Sequence, residues 1–300
     1  MITTQTTELL AVLQLNETGS FTRAAERLGL TSSALSKTIS RLEQRLGTRL
    51  FARSTRRVLA TADGVRFLEH AQRIIDDLAA AEADMRHGQN APRGTLRITV
   101  GTAFGNQQLL PALPDFMRQY PEVKLALSIT DHLVDIAAEG FDLGLRLGAL
   151  GPVDHLVARP IATLPRKVCA APYYLQQYGE PEHPNQLAQH QCLTVAEVES
   201  ADQWPFLVDG TRRMIDVSAR LSVDSAESLL SLALAGGGII RQSAFLLEPA
   251  LIDGRLVEIL QPWRVDDAMP LNALYPPGRQ HQAKLTAMLA FLQSRFSDHL

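Results

Sequence analysis

Residues 20 to 64, SFTRAAERLGLTSSALSKTISRLEQRLGTRLFARSTRRVLATADG, constrain the fold more than any other stretch of this chain. The run from Phe21 to Leu28 reads as a short helix with Ala24, Ala25 and Leu28 on one face. Gly29-Leu30-Thr31-Ser32 is a break, and a second helix is expected from Ser33 to Leu46. Its apolar residues Leu35, Ile39, Leu42 and Leu46 fall four, three and four apart, which makes one inward stripe. The opposite face carries Ser33, Ser36, Lys37, Ser40 and Arg41, with no carboxylate before Glu43. Small residues at Ala24 and Ala25 allow two helices to cross steeply and closely, as a helix-turn-helix requires. The second helix then presents a narrow, donor-rich face of the kind that enters a DNA major groove.

A polar helix face is ordinarily just a solvated face, so local charge has to carry weight. Residues 1–62 contain nine Lys and Arg against four Glu, a balance of +5; the other 238 residues contain twenty against twenty-eight, a balance of −8. A basic first fifth on an acidic body is the electrostatic pattern of a nucleic-acid-binding head. Arg49, Arg53, Arg56 and Arg57 follow the second helix, where a wing would reach the phosphate backbone. Thr22 stands at a helix start and can cap it or donate to a phosphate.

The residues in register are Ser20-Phe21-Thr22, Ala24-Ala25, Leu28, Thr31, Ser33-Ala34-Leu35-Ser36, Ile39, Leu42-Glu43, Leu46-Gly47, Leu50-Phe51, Arg53 and Arg56. In that order the segment resembles the amino-terminal winged helix-turn-helix of the LysR-type transcriptional regulators. Ser32, Ala60 and Asp63 depart from the residues most common there, and Ser32 is a shorter donor than the usual Gln. The resemblance implies that Ser33, Ser36 and Lys37, with Ser32 and Ser40, face base edges. It implies that Thr22, Arg41, Arg53, Arg56 and Arg57 hold phosphates.

Residues 1–62 are therefore read as a DNA-binding domain, with a further helix over 6–16 supplying Leu9, Leu10, Val12 and Leu13 to its core. Residues 63–88 read as one long helix in which Val65, Leu68, Ala71 (or Gln72), Ile75, Leu78, Glu82 and Met85 recur three or four apart, close to a heptad seam. A helix of this length between two domains fits a dimerisation linker, which is the role the resemblance gives it. Residues 89–94, rich in Gly, Pro and polar side chains, form a hinge.

After the hinge, strands alternate with helices, which argues for a mostly parallel sheet covered by helices. Strands are expected at Thr95–Gly101, Lys124–Thr130 and Phe141–Leu147, with helices over 106–119 and Leu133–Glu139. Two strand-like runs lie within 156–172, a hairpin turns at Asp209-Gly210, and a last helix runs from about Gln280 to Arg295. This α/β body resembles the effector-binding region of the same regulators, built like a periplasmic binding protein. Residues 95–162 with 266–300 would form one lobe and 163–265 the other. The carrying motifs are Gly94-Thr95-Leu96-Arg97-Ile98, Phe141 to Arg146, the turn Ala235–Ile239 and Gly254-Arg255-Leu256-Val257.

Ligands in such sheets settle at the carboxyl ends of strands. That places Thr102, Ala103, Phe104, Asp131, Arg146, Thr194, Glu227 and Arg241 as candidate effector contacts. Each has a plainer use. Arg146 could hold a carboxylate or a surface salt bridge. Thr102 and Thr194 could donate to an effector or cap the chain. Phe104 could wall a pocket or close its lobe, and Glu227 could compensate a helix dipole. Arg241 follows a buried strand and could face the cleft.

Chemistry for an enzyme is not evident. No metal spacing, nucleophile elbow or phosphate-binding glycine fingerprint occurs, and Cys169 and Cys192 sit in apolar strands. No metal and no cofactor is expected. The start MITTQTTELL lacks an export signal and no apolar run is long enough to span a bilayer, so a cytoplasmic protein is expected. The expected partners are double-stranded DNA, a small-molecule effector, a second copy of the chain as dimer or tetramer, and RNA polymerase. The alternative class is a small-molecule binding protein acting through a protein partner.

Overall fold

The computed structural model describes residues 2–53, 58–87, 91–150, 155–196, 201–217 and 219–296. The chain divides into two compact units, 1–94 and 95–300.

In the first unit, α1 (Ile2–Thr18), α2 (Phe21–Arg27) and α3 (Ser32–Leu46) precede a two-stranded wing, β1 (Phe51–Arg53) and β2 (Val58–Ala60). The wing strands are antiparallel, with Arg53 opposite Val58. Ala24 and Ala25 of α2 are buried with Leu35, Ile39 and Leu42 of α3, as the close crossing requires. Leu46 breaks the expected stripe and is exposed, because the chain leaves α3 immediately after it through left-handed Gly47 (φ 69°). In α1 the buried apolar residues are Ala11, Val12 and Leu15, whereas Leu10, expected in the core, is exposed. Helical periodicity places Leu10 one step off that stripe.

The turn between α2 and α3 contains Gly29 at φ 65°, and α3 starts at Ser32, so Ser32 opens the helix instead of belonging to the break. Thr31 is the N-cap: its side chain accepts from the Ala34 amide at 3.2 Å. Thr31→Ala is expected to remove about 1 kcal/mol from this unit. A downward shift in the urea midpoint of helical circular dichroism would show it; an unchanged midpoint would show that the cap contributes nothing.

The fourth helix, α4 (Ala62–His87), begins against the wing. A Cβ on Gly64 would lie 1.9 Å from the Leu50 carbonyl oxygen, so glycine alone fits this approach. Leu68 and Ala71 are buried in the core of the first unit with partly buried Phe67. The early turns of the helix therefore belong to the core of the first unit. Val65, Ile74 and Leu78 are exposed. The side chains of Glu82 and Met85, at the end of the expected seam, are outside the described residues, as are Gly88 at the expected helix end and Gln89 and Asn90 of the expected hinge.

The second unit has one long hydrogen-bonded ladder in the order β10 (Ala219–Val223), β7 (Cys192–Val195), β11 (Ile239–Ser243), β6 (Val157–Ala170), β13 (Ala268–Tyr275), β5 (Leu143–Leu147), β3 (Gly94–Val100) and β4 (Val123–Ile129). In the first lobe, β3 (Gly94–Val100) pairs parallel with β5 (Leu143–Leu147), with β4 (Val123–Ile129) at the edge. Between β3 and β4, the helical turn α5 (Thr102–Phe104) and a π-helical segment, Gly105–Leu109, lead into α6 (Leu110–Gln119). The expected helix at Leu133–Glu139 is absent: residues 133–135 are irregular and 136–139 form turns. The Asp135 carboxylate accepts from the amides of Ala137 and Ala138, a local alternative that competes with helix.

The two strand runs expected in 156–172 are one strand, β6 (Val157–Ala170). Its first part pairs with β13 (Ala268–Tyr275) and its last part with β11 (Ile239–Ser243) and β12 (Val257–Glu258). The switch of partner falls at Pro165 and Arg166, so this strand carries the chain out of the first lobe while β13 returns it. Both crossover strands run antiparallel to their neighbours, which makes the sheet mixed rather than mostly parallel.

The second lobe continues with α7 (Pro172–Tyr178), β7 (Cys192–Val195), a hairpin of β8 (Gln203–Val208) and β9 (Thr211–Asp216), then β10 (Ala219–Val223). Asp209 (φ 51°) and Gly210 (φ 70°) form the hairpin turn, and both are left-handed as a two-residue turn demands. The strand after the hairpin leaves it to pair parallel with β7. The next helices are α8 (Ala226–Leu234) and α9 (Ala244–Ile252), and α10 (Ala283–Phe296) closes the first lobe's core through Leu285, Met288, Leu289 and Leu292.

Candidate functional site

In the first unit the question is which cations are free to meet another molecule. Arg27 pairs with Glu17 at 2.6 Å, Arg23 donates to the Thr18 carbonyl at 2.6 Å, and Arg45 pairs with Glu8. These three arginines tie α2 and α3 to α1. The remaining face of α3 is different. Ser32, Ser33, Lys37, Ser40 and Arg41 are exposed and Ser36 is half-buried. Arg41 lies back along the helix, its Nε donating to the Lys37 carbonyl at 3.4 Å. The one nearby carboxylate, Glu43, points the other way. Its Oε1 accepts from the amides of Leu50 and Phe51 at 2.9 and 3.1 Å, anchoring the wing. The helix therefore shows donors and cations without an acid to repel phosphate.

Thr22 is exposed and lies inside α2, not at its cap, which is Ser20. The backbone of Arg53 is in the wing, while its side chain is outside the described residues, as are Arg56 and Arg57 altogether. Arg49, next to the wing, is exposed.

In the second unit the strand ends of the first lobe gather Thr102, Asp131 and Arg146. The Thr102 amide donates to Asp131 Oδ1 at 2.9 Å and its hydroxyl donates to Oδ2. Close approach at Gly101 helps: a Cβ there would meet Asp131 Oδ1 at 3.3 Å. Arg146 donates through Nη2 to Thr99 Oγ1 at 2.9 Å and through Nη1 to the Leu145 carbonyl at 3.0 Å. Burial pulls its pKa below the usual guanidinium range, and the Asp131 charge partly opposes this. A cation held by a hydroxyl and a carbonyl, with a carboxylate nearby, can receive an oxyanion.

Ala103 and Phe104 do not line this corner openly. Both are buried, and the Phe104 ring packs edge-on against Phe245 at 6.0 Å and Phe296 at 5.2 Å. Of its two uses, the ring closes the lobe. Thr194 is buried on β7, in register with Ser222. Glu227, in the first turn of α8, accepts from Asn106 Nδ2 of the first lobe at 3.1 Å, so it bridges the lobes as well as facing a helix dipole. Asn106 carried no sequence signal for this contact. Arg241 does not join the Thr102 corner. It ion-pairs with Asp267, close to Arg166 and Arg212 at the crossover.

Cys169 and Cys192 are buried free thiols, each pushed up to about 12 by burial, so neither is a thiolate near neutrality. Among the described residues, no group of three His, Cys, Asp or Glu is placed to hold a metal ion. No described helix is long and apolar enough to cross a membrane.

Comparison with known proteins agrees with both units. Residues 6–65 match the bacterial regulatory helix-turn-helix protein family, lysR type, and residues 89–297 match the LysR substrate binding domain family. The chain is 33% identical over 297 residues to the HTH-type transcriptional regulator CrgA of Neisseria meningitidis, covering 99% of each chain. It is 32% identical over 286 residues to the HTH-type transcriptional activator TtdR of Escherichia coli, covering 95% of this chain and 91% of that one. The structure of CrgA superposes with a TM-score of 0.61 over 96% of this chain and 97% of that one. Full-length AphB, at 23% identity, shares the fold with a TM-score of 0.60. CrgA and TtdR are both transcriptional regulators of the helix-turn-helix type. With a winged helix-turn-helix ahead of a two-lobed α/β regulatory domain, and with these matches over nearly its whole length, the chain belongs to the LysR family of transcriptional regulators.

Proposed function

We propose that this regulator binds promoter DNA as a dimer or tetramer through α3 and the wing, and that a small molecule in its two-lobed domain biases that binding. The observation that carries the reading is the exposed face of α3, with Glu43 turned away to the wing amides. Ser33, Ser36 and Lys37, with Ser32 and Ser40, read base edges. Thr22, Arg41, Arg53, Arg56 and Arg57 hold phosphates. Residues 1–62 are the DNA-binding domain, 63–88 the pairing helix and 89–94 the hinge.

Exposed Val65, Ile74 and Leu78 on α4 support pairing, since a second copy would cover them. Two-fold pairing places recognition helices about one DNA turn, ~34 Å, apart. The effector sits at Thr102, Asp131 and Arg146 of one lobe and Thr194 and Glu227 of the other, and Arg146 suits a carboxylate. The effector can shift DNA affinity only by its preference between two arrangements of the regulator, typically ~1–3 kcal/mol. The protein works in the cytoplasm, where DNA and RNA polymerase are its partners.

Footprinting on the DNA upstream of its own gene tests this. Two protected patches about one helical turn apart are expected. Uniform or absent protection at low salt would contradict the reading.

A further inference from the structure

Where the two lobes cross over, four elements bring charged side chains to one place. Arg166 stands on β6 where the strand changes partner, and it pairs in register with Ser243 of β11. Arg241 lies two residues before Ser243 on the same strand, opposite Val168. Arg212 comes from the hairpin strand β9, and Asp267 immediately precedes β13.

The three guanidiniums share one carboxylate. Arg166 takes both of its oxygens, Nε to Oδ2 at 3.0 Å and Nη2 to Oδ1 at 2.9 Å. Arg212 Nη2 stands 3.8 Å from Oδ1, too far for a hydrogen bond. Arg241 Nη2 lies against Oδ2 with only 8% of its side chain exposed, so this buried cation shares its one carboxylate with Arg166. Three positive charges against one negative leave an excess of two. The neighbours do not cancel it. Lys167 and Arg264 share Glu258 at 3.3 Å each, which adds one more positive charge, and exposed Asp266 removes one at the rim. Arg212 is 58% exposed and solvated, so the buried excess is the one charge that Arg166 and Arg241 carry beyond Asp267; burying it is costly, and a counter-anion would offset that cost.

The surrounding shape provides room for one. An inner chamber of about 20 Å³, lined by Arg166 and Arg241 with Pro205 and Phe206, is the size of one water or one oxygen-bearing group. It adjoins an outer recess of about 340 Å³ that shares Arg166, Arg264 and Asp267. Burial and mutual repulsion hold Arg241 down to about 9 and Arg166 to about 10, so both are still cations at neutral pH.

We propose that Arg166, Arg212 and Arg241 form a binding site for a small dianionic oxyanion, a dicarboxylate or a phosphate group, at the crossover between the lobes. One oxygen enters the inner chamber and accepts from Arg241, and the rest of the anion faces Arg212 and the outer recess. Because the cations come from the crossover strand, from β11 and from the hairpin, the anion draws together segments that meet where the lobes join. Its consequence for DNA rests on the effector reading above; its binding does not.

The test is thermal unfolding and calorimetric titration of the full-length protein with sodium phosphate and with sodium succinate, against sodium chloride at matched ionic strength. A saturable rise in Tm with either oxyanion, absent with chloride, is expected. Arg212→Gln, at an exposed position, should weaken the affinity about tenfold, the loss of one charge-assisted contact. Arg241→Met should abolish the response. A response no larger than that of chloride, or one unchanged in both Arg212→Gln and Arg241→Met, overturns the proposal. If Arg241→Met does not fold, Arg212→Gln alone decides. Mobility shifts with and without the anion separate the two ideas: binding that leaves DNA affinity unaltered keeps the site and removes its role as the effector site.

Discussion

Phe104→Ala is expected to destabilise the regulatory domain by about 3–5 kcal/mol, the cost of emptying a large, fully packed aromatic site. The ring is 1% exposed and meets Phe245 and Phe296 edge-on, at 6.0 and 5.2 Å. Phe245 opens α9 of the second lobe and Phe296 ends α10 of the first, so the ring joins the packing of both. Edge-to-face aromatic pairs add about 0.5–1.5 kcal/mol beyond burial, which places the loss towards the upper end of the range. Urea unfolding followed by the fluorescence of Trp204 and Trp263, both in this domain, measures it. A loss below about 1 kcal/mol, accompanied by weaker ligand binding, would make Phe104 a pocket wall instead.

The second large effect is on DNA. If each head neutralises several phosphates, raising monovalent salt from about 50 to 200 mM should reduce operator affinity by about 10³–10⁵ for 6–10 contacts in total. The head's surplus of +5 makes this steepness physically reasonable. Arg23, Arg27 and Arg45 are engaged with α1, so they should contribute little to the slope. Lys37→Ala removes an exposed cation from α3, and in a phosphate-holding role it would lower the slope by ~0.9 per head. In a base-reading role it would instead reduce affinity for the operator more than for random duplex, by about 10- to 100-fold. Titrating both duplexes at several salt concentrations tells the two roles apart. No change in slope or in selectivity would remove Lys37 from the interface.

The head was largely legible because its signals are local. The spacing of Leu35, Ile39 and Leu42, the left-handed positions at Gly29 and Gly47 and the Thr31 cap all act within a turn or two of helix. Leu46 and Leu10 lie outside the core for a related reason: periodicity sets a stripe but not where the packing partner ends. The second unit was harder to read because its decisive features are non-local. Pro165 lies between the two strand-like runs expected within 156–172. Its missing amide falls where the ladder passes from β13 to β11, so one strand continues through it. The segment at 133–139 has helix-compatible residues, but Asp135 holds its own turn and Gly140 (φ 74°) ends it.

The candidate ligand residues divide along the same line. Thr102 and Asp131 follow β3 and β4, Arg146 lies near the end of β5, and the rule about strand ends brings them together. Arg241 obeys the same rule in sequence, yet its side chain is committed to Asp267, twenty-six positions further on. The face of a strand that an arginine takes is set by pairing register, and no spacing within β11 reveals Arg166 or Arg212 beside it. Likewise, the contact of Asn106 with Glu227 joins residues 121 positions apart.

The central claim is that the exposed face of α3 reads the operator. The measurement closest to it is a mobility-shift comparison of operator and scrambled duplex, using wild type and the triple variant Ser33→Ala, Ser36→Ala, Lys37→Ala. The account predicts that the triple variant keeps the wild-type Tm, because none of the three side chains is buried, and loses its preference for the operator. A triple variant that still prefers the operator as strongly as wild type would contradict it.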